Sequence, residues 1–360
     1  MKKKFLSMLM IASVTVATFA ACGSSDSAKN EKENAAEETV EDTTGGAADG
    51  KVYKVGIVQY VDDASLNQIV DNLEKRLDEL AEEKGVTFEY EDYYYNGQAD
   101  STTINQIVTE LINDEVDVLV PIATPTAMIC QSATEKNQIP VVFAAVSDPE
   151  GASLVASNDA PGANITGTSD ALNTEAIFDI MFTQDKEIDK VGLLYDKGQD
   201  SSAAPIATAK KYLEEKGVEV VEKTGTKNDE VMLAADALIA EGVDAVFTPT
   251  DNTIMTAELG IYEKFIDAGI PHYCGADSFA LNGAYLGYGV NYATLGVETA
   301  NMVAEILVDG KNPAETPVKT LDNGTATVNT ETAAALGLDY EKIKDLSDGF
   351  VEVQTQEEFD

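Results

Sequence analysis

The stretches VDVLVPIATPTA, residues 116–127, and VDAVFTPTDNT, residues 243–253, decide the fold of this chain. Each begins with Val-Asp, continues through an apolar run that is typical of a buried strand, and ends in a cluster of Thr, Pro and Thr. Such a cluster is typical of a turn that follows a strand. A strand-and-turn unit that occurs once in each half of the chain predicts two similar lobes.

Further pairs of similar stretches occur in the same order in the two halves. KVGIVQY at 54–60 matches KVGLLYD at 190–196, and IPVVFAAVSDP at 139–149 matches IPHYCGADS at 270–278. Apolar, β-branched runs alternate with segments whose leucines and isoleucines recur at helical spacing, as in residues 66–80. This alternation predicts an α/β protein with two similar lobes, each a doubly wound parallel sheet covered by helices on both faces.

Segments between the matched units indicate where the chain crosses from one lobe to the other. We expect a first crossing within GANITGTSDALNTE, residues 162–175, and two later crossings that follow the second matched unit. The two lobes would then be joined by a hinge of several strands. The predicted boundaries are 51–167 plus about 289–315 for lobe 1, and 168–288 plus about 316–350 for lobe 2.

The first residues have the layout of a secretory signal, in which three lysines precede an apolar run from Phe5 to Ala21. The junction FAACG at 19–23 resembles the lipobox of bacterial lipoproteins, in which the cysteine is lipidated. The alternative is a secreted protein that is cleaved nearby. We therefore expect a lipoprotein signal peptide over 1–21, lipidation of Cys22 and a flexible, acidic tether over 22–50, which has no apolar periodicity.

The charge of the chain argues against nucleic acid as a partner. The formal net charge is −40 at pH 7, and loss of the three lysines at 2–4 with the leader takes −40 to −43. A surface this acidic repels phosphate backbones. Cys130 and Cys274 lie in separate lobes beside apolar residues, so we expect buried thiols rather than a disulfide or a metal pair.

Polar residues are concentrated directly after the predicted strands. In an open parallel sheet, ligands bind beyond the carboxyl ends of the strands. Loops at these ends also present the first N–H groups of a following helix to a ligand carboxylate. The candidates for ligand contacts are Gln59, Tyr60, Thr124, Thr126, Ser147 and Asp148 in lobe 1, Thr168 at the first crossing, and Gln199, Ser201, Asp251, Asn252 and Asp277 in lobe 2.

For any one of these residues, helix capping is the simpler interpretation. The matched arrangement in both lobes favours a ligand site, because capping does not require such a match. The adjacent carboxylates Asp62 and Asp63 point in different directions along the chain and are expected to face water.

Catalytic, metal and cofactor sites find little support in the sequence. The one histidine, His272, follows Pro271 in an apolar run and is expected to pack in a strand. There is no G-x-S-x-G elbow, no Walker loop and no G-x-G-x-x-G opening a helix. We therefore expect no catalytic residues, no metal and no cofactor.

These stretches together resemble the substrate-binding lipoproteins of ABC importers, and among them the branch that binds tryptophan and other aromatic amino acids. Family members often have His-Pro-Ala-Leu-Asp where this chain has Asp-Ala-Ser-Leu-Asn at 63–67. The resemblance is carried by KVGIVQYVDDASLNQIVDNL from Lys54, PIATPTAM from Pro121, IPVVFAAVSDPEGASLV from Ile139, ITGTSD from Ile165 and VFTPTDNTI from Val246.

The resemblance implies a type I periplasmic-binding-protein fold that closes on a small ligand, favoured to be an aromatic amino acid. It also implies delivery to an ABC permease with its ATPase. The protein would be a monomer, held by its lipid outside the cytoplasm on a Gram-positive cell membrane. We expect the carboxylate of the ligand at Thr124, Thr126 and Ser147, its ammonium group at Asp251 or Asp277, and its side chain against Tyr60, Phe143, Tyr195 or Phe279.

The sequence leaves three other functions open. A ligand-sensing lipoprotein that signals to a receptor would have the same fold and anchor. An importer component could instead carry a nucleoside or a sugar, although the absence of tryptophan disfavours a sugar site. An enzyme would depend on His272, the only histidine.

Overall fold

The computed structural model describes residues 50–185, 187–321 and 324–356. The predicted signal peptide, Cys22 and the tether up to residue 49 lie outside the described residues. Ala48–Asp360 forms one compact unit. In the part of this unit that the structure describes, no helix is long and apolar enough to cross a membrane.

The strands and helices alternate along most of the chain, as the apolar patterns predict. The strands are β1 Val52–Gln59, β2 Thr87–Glu89, β3 Tyr94–Asn96, β4 Val118–Ile122, β5 Val141–Phe143, β6 Ile165–Ser169, β7 Lys190–Tyr195, β8 Glu219–Thr224, β9 Ala245–Thr248, β10 His272–Cys274, β11 Leu286–Gly289, β12 Lys319–Thr320, β13 Thr325–Asn329 and β14 Gly349–Val353. The helices are α1 Ala64–Lys84, α2 Ser101–Asn113, α3 Thr124–Thr134, α4 Thr174–Gln184, α5 Asp200–Lys216, α6 Asn228–Glu241, α7 Asn252–Asp267, α8 Asp277–Leu281, α9 Tyr292–Leu307 and α10 Thr330–Leu336. Short 3₁₀ helices occur at Glu91–Tyr93, Pro313–Glu315 and Glu341–Leu346.

The strands form two seven-stranded sheets, one in each lobe. The first has the order β12-β6-β5-β4-β1-β2, with β3 also paired to β1, and the second has the order β14-β13-β11-β10-β9-β7-β8. The order β5-β4-β1-β2 in the first sheet corresponds to β10-β9-β7-β8 in the second, which is the pseudo-symmetry that the matched stretches predict. The pairs are parallel except for β11 with β13, which is antiparallel.

The chain crosses between the sheets after β6, after β11 and between β12 and β13. Two of the predicted boundaries are wrong by a few residues. Thr168 belongs to β6 of the first sheet rather than to lobe 2, and Lys319–Thr320 pairs with Thr168–Ser169 in that same sheet. The short β12 supplies hydrogen-bond partners for the edge of β6, which would otherwise be open, so the third crossing comes later than expected.

Helix α9 returns to lobe 1 and packs along α1. Leu73 and Leu77 on α1 are fully buried, as are Leu295 and Val303 on α9. The two helices are so close that a Cβ atom on Gly296 would overlap the carbonyl oxygen of Ile69. This packing fixes α1, and with it the loop at its beginning, against the hinge.

Candidate functional site

A cavity lies between the carboxyl ends of the two sheets, with about 380 Å³ of empty space when its opening to solvent is included. The lining residues include no lysine, arginine or histidine. They are Asp63, Ser65, Leu66, Ala123, Thr124, Ala145, Ser147 and Asp170 on the first side, Ser201, Thr250, Asp251, Asn252, Met255, Ala276, Ser278 and Phe279 on the second, and Tyr292 at the beginning of α9.

Asp63 places a carboxylate in the cavity wall. It is the N-cap of α1, where its Oδ1 accepts hydrogen bonds from the N–H groups of Ser65 at 3.0 Å and Leu66 at 3.1 Å. Its Oδ2 is buried and accepts no hydrogen bond of 3.5 Å or shorter from the described residues. The expectation that Asp63 faces water is wrong, because the capping position turns the side chain inward and leaves it 2% exposed.

Burial raises the pKa of Asp63 to about 7. Burial is the largest cause; the N–H groups of Leu66 and Ser65 and the nearby Ser278 hydroxyl lower this pKa, and the neighbouring Asp277 carboxylate raises it. A carboxylate in this environment is favoured in its ionised form by a cationic ligand group that comes within hydrogen-bond distance.

The beginning of α3 favours a negatively charged group, whereas Asp63 favours a positively charged one. Ala123 precedes the helix with φ 78°, an unfavourable value for a residue with a side chain, and provides no side-chain cap. Thr124, in the first turn, has a buried Oγ1 without a hydrogen-bond partner in the described part of the chain. Uncapped N–H groups and the helix dipole favour an anion here, so this end of the cavity suits a carboxylate.

A second carboxylate links three parts of the first side of the cavity. Asp170, which directly follows β6, accepts a hydrogen bond from the Ser147 hydroxyl at 2.9 Å and one from the Tyr292 hydroxyl at 3.4 Å. Burial raises the pKa of Asp170, and the hydrogen bond from Ser147 lowers it. Because Asp170 lies at one crossing and Tyr292 follows another, this network ties the cavity to the hinge.

In the second lobe, Asp251 caps α7, and both of its carboxylate oxygens accept hydrogen bonds. Its Oδ1 accepts from the N–H groups of Thr253 and Ile254, each at 3.0 Å. Its Oδ2 accepts from the Asp196 N–H and the Ser202 hydroxyl, each at 2.7 Å. Burial raises the pKa of Asp251 to about 6, and these donors lower it. With both oxygens occupied, Asp251 holds the loop rather than offering a free acceptor.

From the second lobe, Ser201 offers the cavity a polar group without a partner in the described part of the chain. It lies in the first turn of α5, whose N-cap residue, Gln199, makes no side-chain capping bond. Ser201 is 3% exposed, and its Oγ has no partner among the residues that the structure describes.

The two lobes touch directly at Asp277. The Ser65 hydroxyl donates to Asp277 Oδ1 at 2.5 Å, and Gln68 Nε2 donates to Asp277 Oδ2 at 3.0 Å. The Ser65 oxygen in turn accepts a 3.3 Å bond from the Ser278 N–H. Since Ser65 and Gln68 belong to α1 and Asp277 to α8, these bonds hold the cavity in a closed arrangement.

Of the residues predicted from the strand ends, Thr124, Ser147, Ser201, Asp251 and Asn252 line the cavity. Asp277 lies beside it as the contact between the lobes. Residues that sequence reasoning missed include Asp63, Asp170 and Tyr292. The rule that selects the ends of strands also applies to Asp170, which directly follows β6.

The other predicted residues do not line the cavity, and hydrogen bonds or core packing occupy most of them. Gln59 donates to the Val61 carbonyl and to Asn67 and accepts from Tyr94, and Asp148 accepts from the Gly151 N–H. Thr168 bonds to Thr299, and Gln199 bonds to Asn252 and Thr253. Tyr60 and Thr126 are buried. Among the four aromatic candidates, Phe279 lines the cavity and Tyr60 does not. Phe143 is fully buried, and Tyr195 donates its hydroxyl hydrogen bond to Glu222.

His272 and the two cysteines of the described part are buried, as predicted. His272 in β10 lies 2.9 Å from Glu258 Oε1 through Nδ1 and 2.8 Å from Thr248 Oγ1 through Nε2. Cys130 and Cys274 are free thiols. None of the three lines the cavity, so they stabilise the lobes rather than form the site.

Two similar α/β lobes, joined by several crossings and closed over a cavity at their strand ends, define a type I periplasmic binding protein. The family model described as ABC transporter substrate binding protein matches residues 54–346. The chain belongs to this family, whose members are substrate-binding proteins and not enzymes.

Two of the known proteins that resemble this chain carry the name of an aromatic amino acid. The tyrosine-binding protein of Clostridioides difficile (strain R20291) is 28% identical over 337 residues, which cover 93% of each chain. The Streptococcus pneumonia ABC domain in complex with L-Trp is 27% identical, with a TM-score of 0.76 over 84% of this chain and 100% of that one. CD0873 is a substrate-binding protein with adhesive properties from Clostridium difficile. Its ligand-free, open structure is also 27% identical, with a TM-score of 0.64 over 84% of this chain and 100% of that one.

Proposed function

We propose that this protein captures an aromatic amino acid outside the cytoplasm and delivers it to an ABC permease with its ATPase. The observation that carries the proposal is the pairing of an unsatisfied carboxylate, Asp63, with an uncapped helix N-terminus at Thr124 in one wall of the cavity. These groups suit the ammonium and the carboxylate of a free amino acid. The names of two relatives, one for tyrosine and one for L-Trp, support an aromatic side chain.

The rest of the wall suits the aromatic side chain. Leu66, Met255 and Phe279 are apolar, and Tyr292 adds a ring whose hydroxyl bonds to Asp170. Burying an aromatic side chain of ~150–250 Å² contributes ~4–6 kcal/mol at ~25 cal/mol per Å². Charged hydrogen bonds at the other end would take the affinity to roughly micromolar or tighter.

The proposal is tested with the chain from Lys51 onward, which is refolded to remove any ligand carried through purification. Thermal unfolding is measured with each amino acid, with nucleosides and with common sugars, because a ligand that binds only the folded state raises the melting temperature. We expect a rise with tyrosine, tryptophan or phenylalanine and none with the other classes. A rise with a nucleoside or a sugar alone would overturn the proposed ligand.

The anchor is part of the same proposal. We infer that Cys22 is lipidated after removal of residues 1–21, that the segment over 22–50 tethers the binding lobes to the cell membrane, and that the protein acts as a monomer. Replacing Cys22 by alanine should release the protein from the membrane fraction into the medium. Retention of the Cys22→Ala variant in the membrane would contradict the lipid anchor without affecting the ligand.

A further inference from the structure

Three buried polar atoms of the cavity wall have no hydrogen-bond partner among the described residues. They are Asp63 Oδ2, Thr124 Oγ1 and Ser201 Oγ. Buried polar groups in folded proteins are almost always satisfied, so unsatisfied atoms that line one cavity indicate where a ligand presents its own polar groups. The ammonium and carboxylate of an amino acid carry several donors and acceptors, so the placement of the three atoms, rather than their number, decides which of them face this end of the ligand.

The sheet order indicates which atom faces the side chain of the ligand. Asp63 follows β1 and Thr124 follows β4, and these strands are paired neighbours with Gln59 opposite Ile122. The two unsatisfied atoms therefore lie on adjacent loops of one lobe. The ammonium and carboxylate of an amino acid are attached to one carbon, so a pair of adjacent loops can bind both. Ser201 follows β7 in the other sheet.

The surroundings of Ser201 favour an oxygen atom. The α5 helix begins here without a side-chain cap, so its N-terminal N–H groups place partial positive charge at this end of the cavity. The neighbouring polar groups are occupied: Asp251 has donors on both oxygens, and the Thr250 hydroxyl donates to the Gly275 carbonyl. The Ser201 hydroxyl can both donate to and accept from a ligand hydroxyl.

We propose that Ser201 is a specificity-determining residue that binds the hydroxyl of a hydroxyphenyl side chain, so that the site prefers tyrosine to phenylalanine. This inference rests on the proposed function, because it takes the amino-acid end of the ligand to lie at Asp63 and Thr124. A phenyl ring in the same position would leave the Ser201 hydroxyl buried without a partner. A site that is built to bind a hydroxyl discriminates strongly against the analogue that lacks it.

Tyrosine and phenylalanine differ by the one oxygen in question, so they make a matched pair of ligands. Dissociation constants for both are measured by calorimetry with the wild-type chain from Lys51, with Ser201→Ala and with the control Ser132→Ala, whose serine is exposed on α3. We expect the wild type and the control to bind tyrosine at least about tenfold more tightly than phenylalanine. In Ser201→Ala, tyrosine affinity should fall about tenfold and the ratio should approach one.

The outcomes separate this inference from the proposed function. Equal wild-type affinity for the two ligands, or an equal loss for both in Ser201→Ala, would overturn the role of Ser201 and leave the aromatic ligand in place. If the wild type bound neither tyrosine, phenylalanine nor tryptophan, the proposed function itself would fall, and the inference with it. A tyrosine-to-phenylalanine ratio that is lost in Ser201→Ala and kept in Ser132→Ala would establish the contact. Melting temperatures without ligand check that both variants are folded.

Discussion

The two lobes present the same pair of loops to the cavity, but the loop that carries a helix-capping carboxylate is the first of the pair in lobe 1 and the second in lobe 2. In lobe 1, the helix after β1 is capped by Asp63, whereas the helix after β4 begins without a side-chain cap. In lobe 2, the helix after β7 begins without a side-chain cap, whereas the helix after β9 is capped by Asp251. Each lobe therefore offers the cavity one capping carboxylate and one uncapped helix with an unsatisfied hydroxyl.

The two capping carboxylates differ in how many donors they meet. Asp251 receives hydrogen bonds on both oxygens, and two of its donors come from the neighbouring loop and α5. Asp63 receives its capping bonds on Oδ1 alone, and Oδ2 has no partner in the described residues. A helix-capping aspartate thus holds a neighbouring loop in lobe 2, where it is Asp251, and leaves an acceptor oxygen for a ligand in lobe 1, where it is Asp63. The unused hydrogen-bonding capacity, rather than the residue type, separates the two roles.

The largest expected effect is on ligand affinity and comes from changing the Asp63 carboxylate. Asn caps helices as well as Asp, so Asp63→Asn keeps the cap and removes the charge. We expect the affinity for tyrosine to fall about 100-fold, because a bound ammonium loses its ionic partner. The unfolding free energy without ligand should not fall near pH 8, since burial of the charged form is unfavourable. Asp100→Asn, at the exposed cap of α2, is the matched control for calorimetry and urea unfolding; equal affinities in both variants would place the ammonium elsewhere.

The second-largest expected effect is on stability and concerns Asp251, whose two carboxylate oxygens both accept hydrogen bonds. Asp251→Ala removes the cap of α7 and leaves the buried Ser202 hydroxyl and the Asp196 N–H without their acceptor. We expect the unfolding free energy, measured by urea denaturation, to fall by about 2 kcal/mol. Asp63→Ala, which removes only a cap and an unfavourable buried charge, should have a smaller effect. An equal or larger loss in Asp63→Ala would contradict the division of roles between the two carboxylates.

The pH dependence of binding should follow Asp63. In the closed, ligand-free protein Asp63 is mainly protonated below about pH 7, so its contribution to stability is present at low pH and is lost as the pH rises through about 7. A bound ammonium requires the ionised form. Lowering the pH from about 8 to about 6 should therefore weaken tyrosine binding by up to about tenfold. Asp63→Asn should flatten this profile; an unchanged profile in that variant would assign the titration to another group.

The strand ends could be located from sequence because strands and turns have strong local signals. The repeated stretches after Val116 and Val243 become β4 and β9 with their helices, and Thr124 and Asp251 reach the cavity as strand-end residues do. The β-branched and helical patterns likewise predict both sheets, because burial on two faces demands apolar runs.

Other features depend on contacts that no local pattern contains. Tyr292 reaches the cavity because α9 packs on α1, far away in sequence. Gln59 and Thr168 have the residue type and position of ligand contacts, but tertiary partners occupy them. Whether Asp63 faces water or the cavity is decided by the exact start of α1, which sequence reasoning locates least reliably. The pairing of β12 with β6 rests on two residues and has no periodicity to detect.

The smallest effect concerns the contact that joins the lobes. Asp277→Asn replaces one of the two acceptor oxygens that receive bonds from Ser65 and Gln68 by an amide nitrogen, which cannot accept them. We expect the closed form to lose about 1 kcal/mol, so that tyrosine dissociates about fivefold faster while its association rate stays similar. Stopped-flow fluorescence of the binding reaction measures both rates, with Asp267→Asn, exposed at the end of α7, as the control. A faster association with unchanged dissociation would show instead that Asp277 hinders ligand entry, and the asymmetry of the lobes would then lie in access to the cavity rather than in closure.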